Sequence, residues 1–281
     1  MDWRLITEEL LDGPMAMALD EVAAETVAAG GPATVRLYRW FPSTVTLGYN
    51  NDADIVDWEH CDDWGVSVTR RPTGGGAIYH DTSGDVAYSI IAPADEFPSD
   101  VTECYREFLQ PILAAFEAVG VDVDFADEEK AGLWNSLCYL LPLDPAHDLV
   151  GPDGRKIAGN AQYRTRDAVV QHGSLTFEVN TDQHLGCFED PPVTPEEFDA
   201  RVCGLHELVS VDDVVETGLG AFGGYDVQRS KFVSNLEDAL ADWAGAEESE
   251  WTDEELERGR ELVETKYGND EWIRDRNDPT G

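Results

Sequence analysis

The sequence predicts an α+β fold with mixed, mainly antiparallel β-sheets flanked by helices. Short β-rich segments between residues 33 and 92 are separated by Pro, Gly and Asn-Asp turns. Helical patterns lie before and after these segments and do not alternate with them, which favours α+β. From about residue 195 onward the pattern is helical. The chain has 281 residues, enough to bury a substantial core.

The amino-terminal half contains two predicted helices around a strand region. The first helix covers residues 14–29, where apolar residues share one face: Met15, Leu19, Val22 and Ala23. The strand region contains five short β-rich segments, at 33–40, 44–49, 66–71, 77–80 and 85–92. A second helix is predicted over 101–119, where Tyr105, Leu109, Ile112, Leu113 and Phe116 recur at helical spacing.

The second half begins with strands and ends with helices. Strands are predicted at 121–125, 155–165 and 169–179, the last two joined by a hairpin at Arg166-Asp167. Helices are predicted at 195–205, 210–222, 230–245 and 252–268. Thr252 and Glu255 have the spacing of a capping box at the start of the last helix. We expect a catalytic domain at 1–245, then an acidic carboxyl-terminal helix and tail at 246–281.

The charge of the chain is strongly negative. It has 58 Asp and Glu against 19 Lys and Arg, a formal net charge of -39. No cluster of cations stands out, so binding to nucleic acid or to anionic membranes is disfavoured. An acidic surface with only four lysines against fifteen arginines suits a protein kept soluble in concentrated salt, where charge repulsion is screened. We therefore expect a halophilic, archaeal source.

The cysteines and the amino terminus indicate a reduced, soluble protein. Five cysteines are widely spaced and form no CxxC pair, so a disulfide framework or a zinc site is not expected. The start, MDWRLITEELLDG, lacks the basic flank and apolar centre of a signal peptide. No apolar segment approaches the length of a membrane span. We expect a cytoplasmic protein without a bound metal.

The segment RRPTGGGAIYHD, residues 70–81, is the most informative. Three consecutive glycines permit positive φ angles and close approach of the backbone to a neighbouring group. Alone they fit a loop or a bulge as well as a ligand site. The flanking Arg-Arg and His-Asp pairs favour a ligand site, because they place cations and hydrogen-bonding groups beside an open backbone. The segment matches neither the Rossmann nor the P-loop pattern.

Two later segments carry possible functional groups. In DGRKIAGNAQ, residues 153–162, Lys156 stands in a strand-like segment of a chain that otherwise avoids lysine. An exposed hairpin lysine and a functional lysine fit this pattern about equally well. In QHGSL, residues 171–175, His172 lies between apolar strand residues, which alone favours a structural histidine.

Together and in this order, the three segments resemble the lipoate-protein ligase family, whose catalytic domain also occurs in octanoyltransferases and, more distantly, in biotin ligases. RRPTGGGAIYHD is similar to the glycine-rich signature of the family, GRKIAGNAQ to its catalytic-lysine segment, and QHGSL to the strand that follows. MALDE near 17, LYRW near 37, LGYNND near 47 and ETKYGNDEW near 264 extend the resemblance. It implies a class II synthetase-like, biotin/lipoate ligase catalytic domain with a helical carboxyl-terminal part.

Three features depart from the family pattern. Ala16 stands where members often carry Asn before a segment like MALDE. His147-Asp148 occupies the place of an Asn-Asp pair found in many ligases, which weakens the ligase interpretation. After KYGNDEW the sequence leaves no room for the accessory domain of many bacterial ligases, so none is expected here.

The resemblance implies ATP-dependent attachment of lipoate to a lysine of a lipoyl carrier domain, through lipoyl-AMP. ATP with Mg²⁺ and lipoate would be substrates, without a tightly bound cofactor. Lys156 is the expected catalytic cation, because negative charge develops on acyl and phosphate oxygens in both steps. Of the two arginines, Arg71 is the expected ligand contact. The expected substrate- and nucleotide-binding residues are Arg71, Gly74, Gly75, Gly76, His80, Asp81, Gly159, Ala161 and His172. For Asp81, holding the turn that follows it is an equal alternative.

Two other functions compete with this one. Cys138, eighteen residues before Lys156, stands where one class of octanoyltransferases carries its nucleophile, so an octanoyl or lipoyl transferase working through a Cys138 thioester is the alternative. A lone cysteine in an apolar stretch also fits a buried small side chain. A non-catalytic binder of acyl-adenylate or carrier ranks lower. The inferred archaeal habitat, where the octanoyl donor could be missing, ranks the ligase first.

The implied partners are lipoyl carrier domains. These belong to the E2 subunit of 2-oxoacid dehydrogenases or to the H protein of the glycine cleavage system. A separate accessory subunit, as in some archaeal members of the family, is a further expectation.

Overall fold

The structure is a computed structural model that describes residues 1–144, 147–209 and 224–278. The helix expected at 210–222 lies outside the described residues. Within them the strands are β1 Trp3–Leu11, β2 Ala33–Trp40, β3 Thr44–Leu47, β4 Ser67–Arg70, β5 Ile78–His80, β6 Asp85–Pro93, β7 Asp124–Phe125, β8 Leu149–Val150, β9 Lys156–Arg164, β10 Ala168–Thr176 and β11 Glu247–Glu248.

The strands form two sheets. The large sheet has the order β11-β1-β2-β6-β10-β9-β8-β7, and the small sheet has the order β4-β3-β5. In the large sheet β1 pairs in parallel with β2 and β11, and the other neighbours are antiparallel. In the small sheet β3 is parallel to β4 and antiparallel to β5. The expected mixed, mainly antiparallel α+β architecture is confirmed.

Helices cover both faces of the large sheet. The described helices are α1 Gly13–Ala28, α2 Trp58–Asp63, α3 Val101–Phe108, α4 Gln110–Ala118, α5 Thr181–Gly186, α6 Pro195–Asp199, α7 Leu205–Leu208, α8 Gly224–Ala244, α9 Asp253–Leu262 and α10 Asp270–Ile273. On one face α3, α4 and α8 bury a core that includes Leu37, Tyr88, Phe108, Phe116 and Leu236. The other face is covered by α1 and the small sheet, with Trp40, Leu47 and Tyr139 buried between the sheets.

Several elements differ from the sequence expectation. Helices α2 and α5 and the short strands β8 and β11 were not expected, and α6 covers only Pro195–Asp199 of the helix expected at 195–205. The single helix expected at 101–119 is divided at Leu109, because Pro111 lacks the N–H group that would bond to the Glu107 carbonyl. Strand β1 was not expected. Its Leu5 and Ile6 are buried in different core clusters, and its parallel pairing with β2 joins segments about 30 residues apart.

The segment after residue 245, expected as an acidic carboxyl-terminal helix and tail, packs against the rest of the described chain. Strand β11 extends the large sheet beside β1, and the Thr252–Glu255 capping box starts α9 as expected. Beyond α9, Tyr267 and Trp272 are buried between the two sheets. The apolar residues of this segment explain its position, because they find partners only in that core. No helix among the described residues is long and apolar enough to span a membrane.

Candidate active site

A cavity of about 220 Å³, here called the central cavity, lies between the two sheets. Its walls combine strands of both sheets. Residues from β2, β3, β5, β9 and β10 line it, among them Trp40, Thr46, His80, Asn160 and His172. The glycine-rich segment and residues 138–142 complete the wall. The three segments singled out in the sequence therefore meet at one place.

Lys156, the first residue of β9, lies in this cavity as part of a buried ion pair. Its ammonium group is 2.6 Å from Asp148 Oδ1 and donates to the Cys138 carbonyl oxygen at 3.3 Å. The second Asp148 oxygen accepts the amide N–H of Asp144 at 2.8 Å. Burial alone would lower the pKa of Lys156, but the charges of Cys138 and Asp148 outweigh it and raise that pKa. Lys156 is therefore a fixed cation at neutral pH.

Cys138 presents its thiol to the central cavity. It is partly exposed, whereas the other four cysteines are buried. Its amide N–H donates to the Ala77 carbonyl at 2.8 Å, which fixes the segment beside the glycine-rich loop. A Cβ atom at Gly159 would lie only 2.8 Å from Cys138 Sγ, so the missing side chain makes room for the thiol. A nucleophile at this position would stand beside the Lys156 cation.

The three glycines have different positions in the site. Gly74 and Gly75 line the cavity, and Gly75 has a φ of +90°, which disfavours other residues. Gly76 lies behind the wall, where a Cβ atom would be 2.5 Å from the Cys138 nitrogen. The glycine at this position allows the loop to pack against the backbone that carries the thiol. Gly159 and Ala161 of β9 also line the cavity, as expected.

Arg71 lies at the cavity wall, but its donors are committed to the protein. Nε donates to Thr73 Oγ1, Nη1 to the carbonyl and hydroxyl of Thr46, and Nη2 to the carbonyls of Gly74 and Gly76. Five N–H groups thus have protein acceptors at 2.6–3.1 Å. The geometry points to a role in shaping the glycine-rich loop, in place of the substrate contact expected from the sequence.

Arg70 extends away from the cavity, as the alternation of a strand requires. Its side chain is fully buried and donates to backbone carbonyls of residues 48, 49, 51, 272 and 273. It ties the small sheet to the carboxyl-terminal segment. The expectation that the two arginines point in opposite directions agrees with this geometry.

His80 is held as a neutral ring at the cavity wall. Its Nδ1 is 2.5 Å from Asp85 Oδ2, and its Nε2 is 3.0 Å from Thr46 Oγ1. The Asp85 carboxylate accepts from Nδ1–H, so the neutral ring has its proton on Nδ1, and Nε2 accepts from the Thr46 hydroxyl. Burial is the largest influence and lowers the pKa of His80 despite Asp85. The ring also stacks on Trp40 at 4.1 Å.

His172 repeats this arrangement from the large sheet. Its Nε2 is 2.7 Å from Thr73 Oγ1 and its Nδ1 is 2.9 Å from Asp20 Oδ2. The Asp20 carboxylate is likewise an acceptor, so Nδ1 of His172 donates to it. The Thr73 hydroxyl also accepts from Arg71. Asp20 in turn accepts from the buried Arg36 at 3.1 Å. Two His-Asp pairs thus converge on Arg71 through two threonines.

Asp81, like Gly76, is an expected binding residue that does not line the central cavity. It lies outside the central cavity, and its Oδ1 accepts the amide N–H groups of Ser83 and Gly84 at 2.8 and 3.0 Å. The carboxylate therefore holds the turn after β5. The short side chain and the sequence DTSGD favour this local bonding.

Three acidic residues of the site were missed as site residues in the sequence. Asp148 pairs with Lys156, and Asp20 and Asp85 orient the two histidines. Asp20 stands within MALDE, which carries the resemblance, and Asp148 stands in the His147-Asp148 pair that occupies the place of the ligases' Asn-Asp pair; these are the sequence signals for the two residues. In a chain with 58 acidic residues, composition could not separate these three from the rest.

The comparison with known proteins decides the family. Residues 12–223 match the family described as the lipoyl protein ligase A/B catalytic domain. The chain belongs to this family. It is therefore an enzyme of the lipoate ligase and octanoyltransferase type, as the glycine-rich and lysine segments indicated.

Relatives in sequence and in structure have different names within the family. The chain is 32% identical over 286 residues to the octanoyltransferase LipM of Brevibacillus brevis, covering 96% of this chain and 98% of that protein. The lipoate protein ligase of Thermoplasma acidophilum with bound lipoic acid has a TM-score of 0.74 at 22% identity, covering 98% and 99% of the two chains. A second T. acidophilum structure, of a bipartite lipoate protein ligase and its E2 lipoyl domain, has a TM-score of 0.73 at 22% identity, covering 98% and 96%.

These relatives change the order of the expected functions. The structural likeness, at 22% identity, establishes the fold. The more similar sequence is named an octanoyltransferase, which supports the thioester alternative better than ATP-dependent ligation. The expected halophilic archaeal source stays a prediction, because the relative with 32% identity comes from Brevibacillus.

Proposed function

We propose that this enzyme transfers an octanoyl group through a thioester on Cys138 to a lysine of a lipoyl carrier domain. The observation that carries the proposal is the position of the Cys138 thiol in the central cavity, against Gly159 and beside the Lys156 cation. The name of the B. brevis relative supports the same chemistry.

The reaction consists of two acyl transfers. In the first, the Cys138 thiolate attacks the thioester carbonyl of an acyl donor, a new C–S bond forms, and the donor thiolate leaves. In the second, the neutral amine of the carrier lysine attacks the Cys138 thioester, the attacking nitrogen releases one proton to solvent as the amide bond forms, and the C–S bond breaks so that the cysteine leaves as a thiolate. Each attack places negative charge on the carbonyl oxygen, and the Cys138 thiolate is negative before and after.

Lys156 is the residue that stabilises these negative charges. Its ammonium group is held by Asp148 at 2.6 Å and by the Cys138 carbonyl at 3.3 Å, so its position is fixed before substrate binds. The Asp148 contact keeps the ammonium protonated and oriented, and one cation serves both transfers.

The charges of the cavity favour a thioester donor over ATP. Among the described residues that line it, the cationic side chains are Arg71 and Lys156. The N–H groups of Arg71 are committed to protein acceptors, and Lys156 is paired with Asp148. A triphosphate needs several cationic or metal contacts, whereas a thioester is uncharged at the reacting carbonyl. ATP, Mg²⁺ and lipoate remain predictions that the assay below also tests.

The test compares two donors with two cysteine variants. With an octanoyl-carrier-protein thioester, a lipoyl carrier domain and no ATP, we expect octanoylated carrier from the wild type. Cys138→Ser should lose this activity, while Cys203→Ala, at a buried thiol outside the cavity, should retain it. Product from lipoate and ATP with release of AMP, retained in Cys138→Ser, would instead establish the ligase.

The acceptor is a lipoyl carrier domain of a 2-oxoacid dehydrogenase E2 subunit or of the glycine cleavage H protein. The T. acidophilum neighbour is named as a bipartite lipoate protein ligase and its E2 lipoyl domain, which supports a carrier of this class. The proposal also includes a separate accessory subunit. An assay with the enzyme and the carrier domain alone tests this part, because octanoylated carrier in that assay would show that no accessory subunit is needed.

A further inference from the structure

We propose that His147 is the base that removes the proton from the attacking lysine amine in the second transfer. The proposal rests on the thioester function of Cys138. A lysine amine is protonated at neutral pH and becomes a nucleophile only after it loses a proton. The site must therefore offer an acceptor near the cavity opening, where the carrier lysine enters.

His147 occupies such a position. It lines the central cavity together with Cys138 and Lys156, and 32% of its side chain is exposed to solvent. Its ring stacks on Tyr105 of α3 with centroids 4.9 Å apart and planes inclined by 25°. Its carbonyl oxygen accepts from the Asn160 side chain at 3.3 Å, which anchors the residue to β9. The ring is thus held in place and reached from solvent.

The other titratable groups of the cavity are committed elsewhere. Both ring nitrogens of His80 and of His172 are bonded to an aspartate and a threonine. Asp148 is paired with Lys156, and Lys156 is a cation. Among the described residues the Nε2 atom of His147 makes no recorded hydrogen bond, so we assign the proton transfer to this nitrogen.

The groups around His147 favour its action as a base. Asp144 lies on its own segment, with Oδ2 at 3.6 Å from Nδ1, and Asp148 follows it in the chain. Tyr105 faces the ring from α3, and Lys156 and Cys138 share the cavity. The Asp144 carboxylate stabilises the imidazolium that forms when Nε2 takes the proton. The electron pair freed on the amine forms the C–N bond, the second proton of the attacking nitrogen passes to solvent as the amide forms, and the C–S electrons return to Cys138 as thiolate.

The experiment isolates the second transfer. The enzyme is first octanoylated on Cys138 and freed of donor, and its deacylation by a lipoyl carrier domain is then followed by intact-protein mass spectrometry over a range of pH. We expect His147→Gln and His147→Phe to slow deacylation at neutral pH by at least about 100-fold, the size of a general base. His147→Phe keeps an aromatic ring against Tyr105, so it separates proton transfer from stacking.

Two controls separate loss of the base from a general loss of activity. Hydroxylamine, an amine that is unprotonated at neutral pH, should deacylate the wild type and both variants at the same rate. His206→Gln, at a histidine outside the central cavity, should behave as wild type with the carrier domain. Wild-type deacylation by the carrier domain in His147→Phe would overturn the proposal. Absence of any octanoyl-Cys138 in the wild type would instead overturn the thioester function on which it rests.

Discussion

At the scale of single residues, the rarity of lysine in this chain pointed to a site residue in one case, Lys156, but not in another, Lys266. Lys156 stood out in the sequence because lysine is scarce, and it lies in the central cavity. Lys266 is another of the four lysines and is as buried as Lys156, but it pairs with Glu21 outside that cavity. Scarcity identified a candidate, and the neighbouring Cys138 distinguishes it. That neighbour comes from a segment eighteen residues away, so local pattern could not supply it.

Arg71 shows a second limit at this scale. The sequence placed a cation beside three glycines, which suggested a contact to phosphate or carboxylate. The structure satisfies its N–H groups with Thr46, Thr73 and the glycine-rich loop. Whether an arginine donates to substrate or to its own loop depends on backbone carbonyls that no residue pattern reveals.

The role of Lys156 gives the first testable expectation. Lys156→Ala and Lys156→Arg should each lower the rate of acyl transfer about 10²–10³-fold, because a fixed point charge is lost or replaced by a planar group. Lys130→Ala, at an exposed lysine that bonds to the Gly154 carbonyl, should retain wild-type activity. Steady-state rates with octanoyl thioester and carrier domain check this, and full turnover in Lys156→Ala would contradict it.

The same ion pair has a separable effect on stability. Lys156→Ala leaves the Asp148 carboxylate buried without its cation, which costs about 3–5 kcal/mol. The double variant Lys156→Ala, Asp148→Asn should recover much of the melting temperature but none of the activity. If the double variant recovered both, Lys156 would act only through stability.

At the scale of elements, local patterns predicted the strands of both sheets that carry the site and the first helix, but not every boundary. The hairpin at Arg166-Asp167 forms between β9 and β10, and the capping box starts α9. Strand β1 escaped prediction because its partner β2 is parallel and distant in sequence. The break between α3 and α4 follows from one proline within an otherwise helical pattern.

The glycine-rich loop gives an expectation at this scale. Gly76→Ala should lower the melting temperature, because the added methyl would lie 2.5 Å from backbone atoms of Leu137 and Cys138, at a cost of about 1–3 kcal/mol. Gly74→Ala is the matched control, since a Cβ atom there meets nothing within 4 Å. Thermal unfolding of the two variants checks the prediction, and equal melting temperatures would contradict it.

Helix α9 gives a pH-dependent expectation. Burial alone would raise the pKa of Glu255, but hydrogen bonds from Arg4, Thr252 and Thr26 outweigh it and lower that pKa to about 2. The stabilisation is present above the ordinary pKa of a glutamate and is lost as the pH falls toward 2. Glu255→Gln should therefore melt earlier than wild type at pH 7, with the difference shrinking below about pH 4. A difference that grew with acidity would contradict this assignment.

At the scale of the whole molecule, the net charge of -39 is compatible with one packed body. Two core clusters lie on opposite faces of the large sheet, and the segment after residue 245 closes one of them. Composition predicted a large core and a soluble surface. It could not predict that the acidic carboxyl-terminal segment packs into the core, because that depends on five apolar residues within it: Trp251, Leu262, Tyr267, Trp272 and Ile273.

The charge gives a prediction about salt. At molar salt the Debye length is about 3 Å, so repulsion among the acidic side chains is screened. We expect the melting temperature to rise between dilute buffer and molar KCl. Equal melting temperatures in the two conditions would remove the support for a halophilic source.

Whether Cys138 carries the acyl group is tested most directly by intact-protein mass spectrometry. The enzyme is incubated with an octanoyl thioester and no ATP and is then divided into two samples. One sample is digested at once to locate the octanoyl group. The other is first incubated, undigested, with a lipoyl carrier domain, and both proteins are then weighed. We expect one octanoyl group on the peptide that contains Cys138, which disappears as the carrier gains the same mass. An unmodified Cys138 in an enzyme that still octanoylates the carrier would contradict the account.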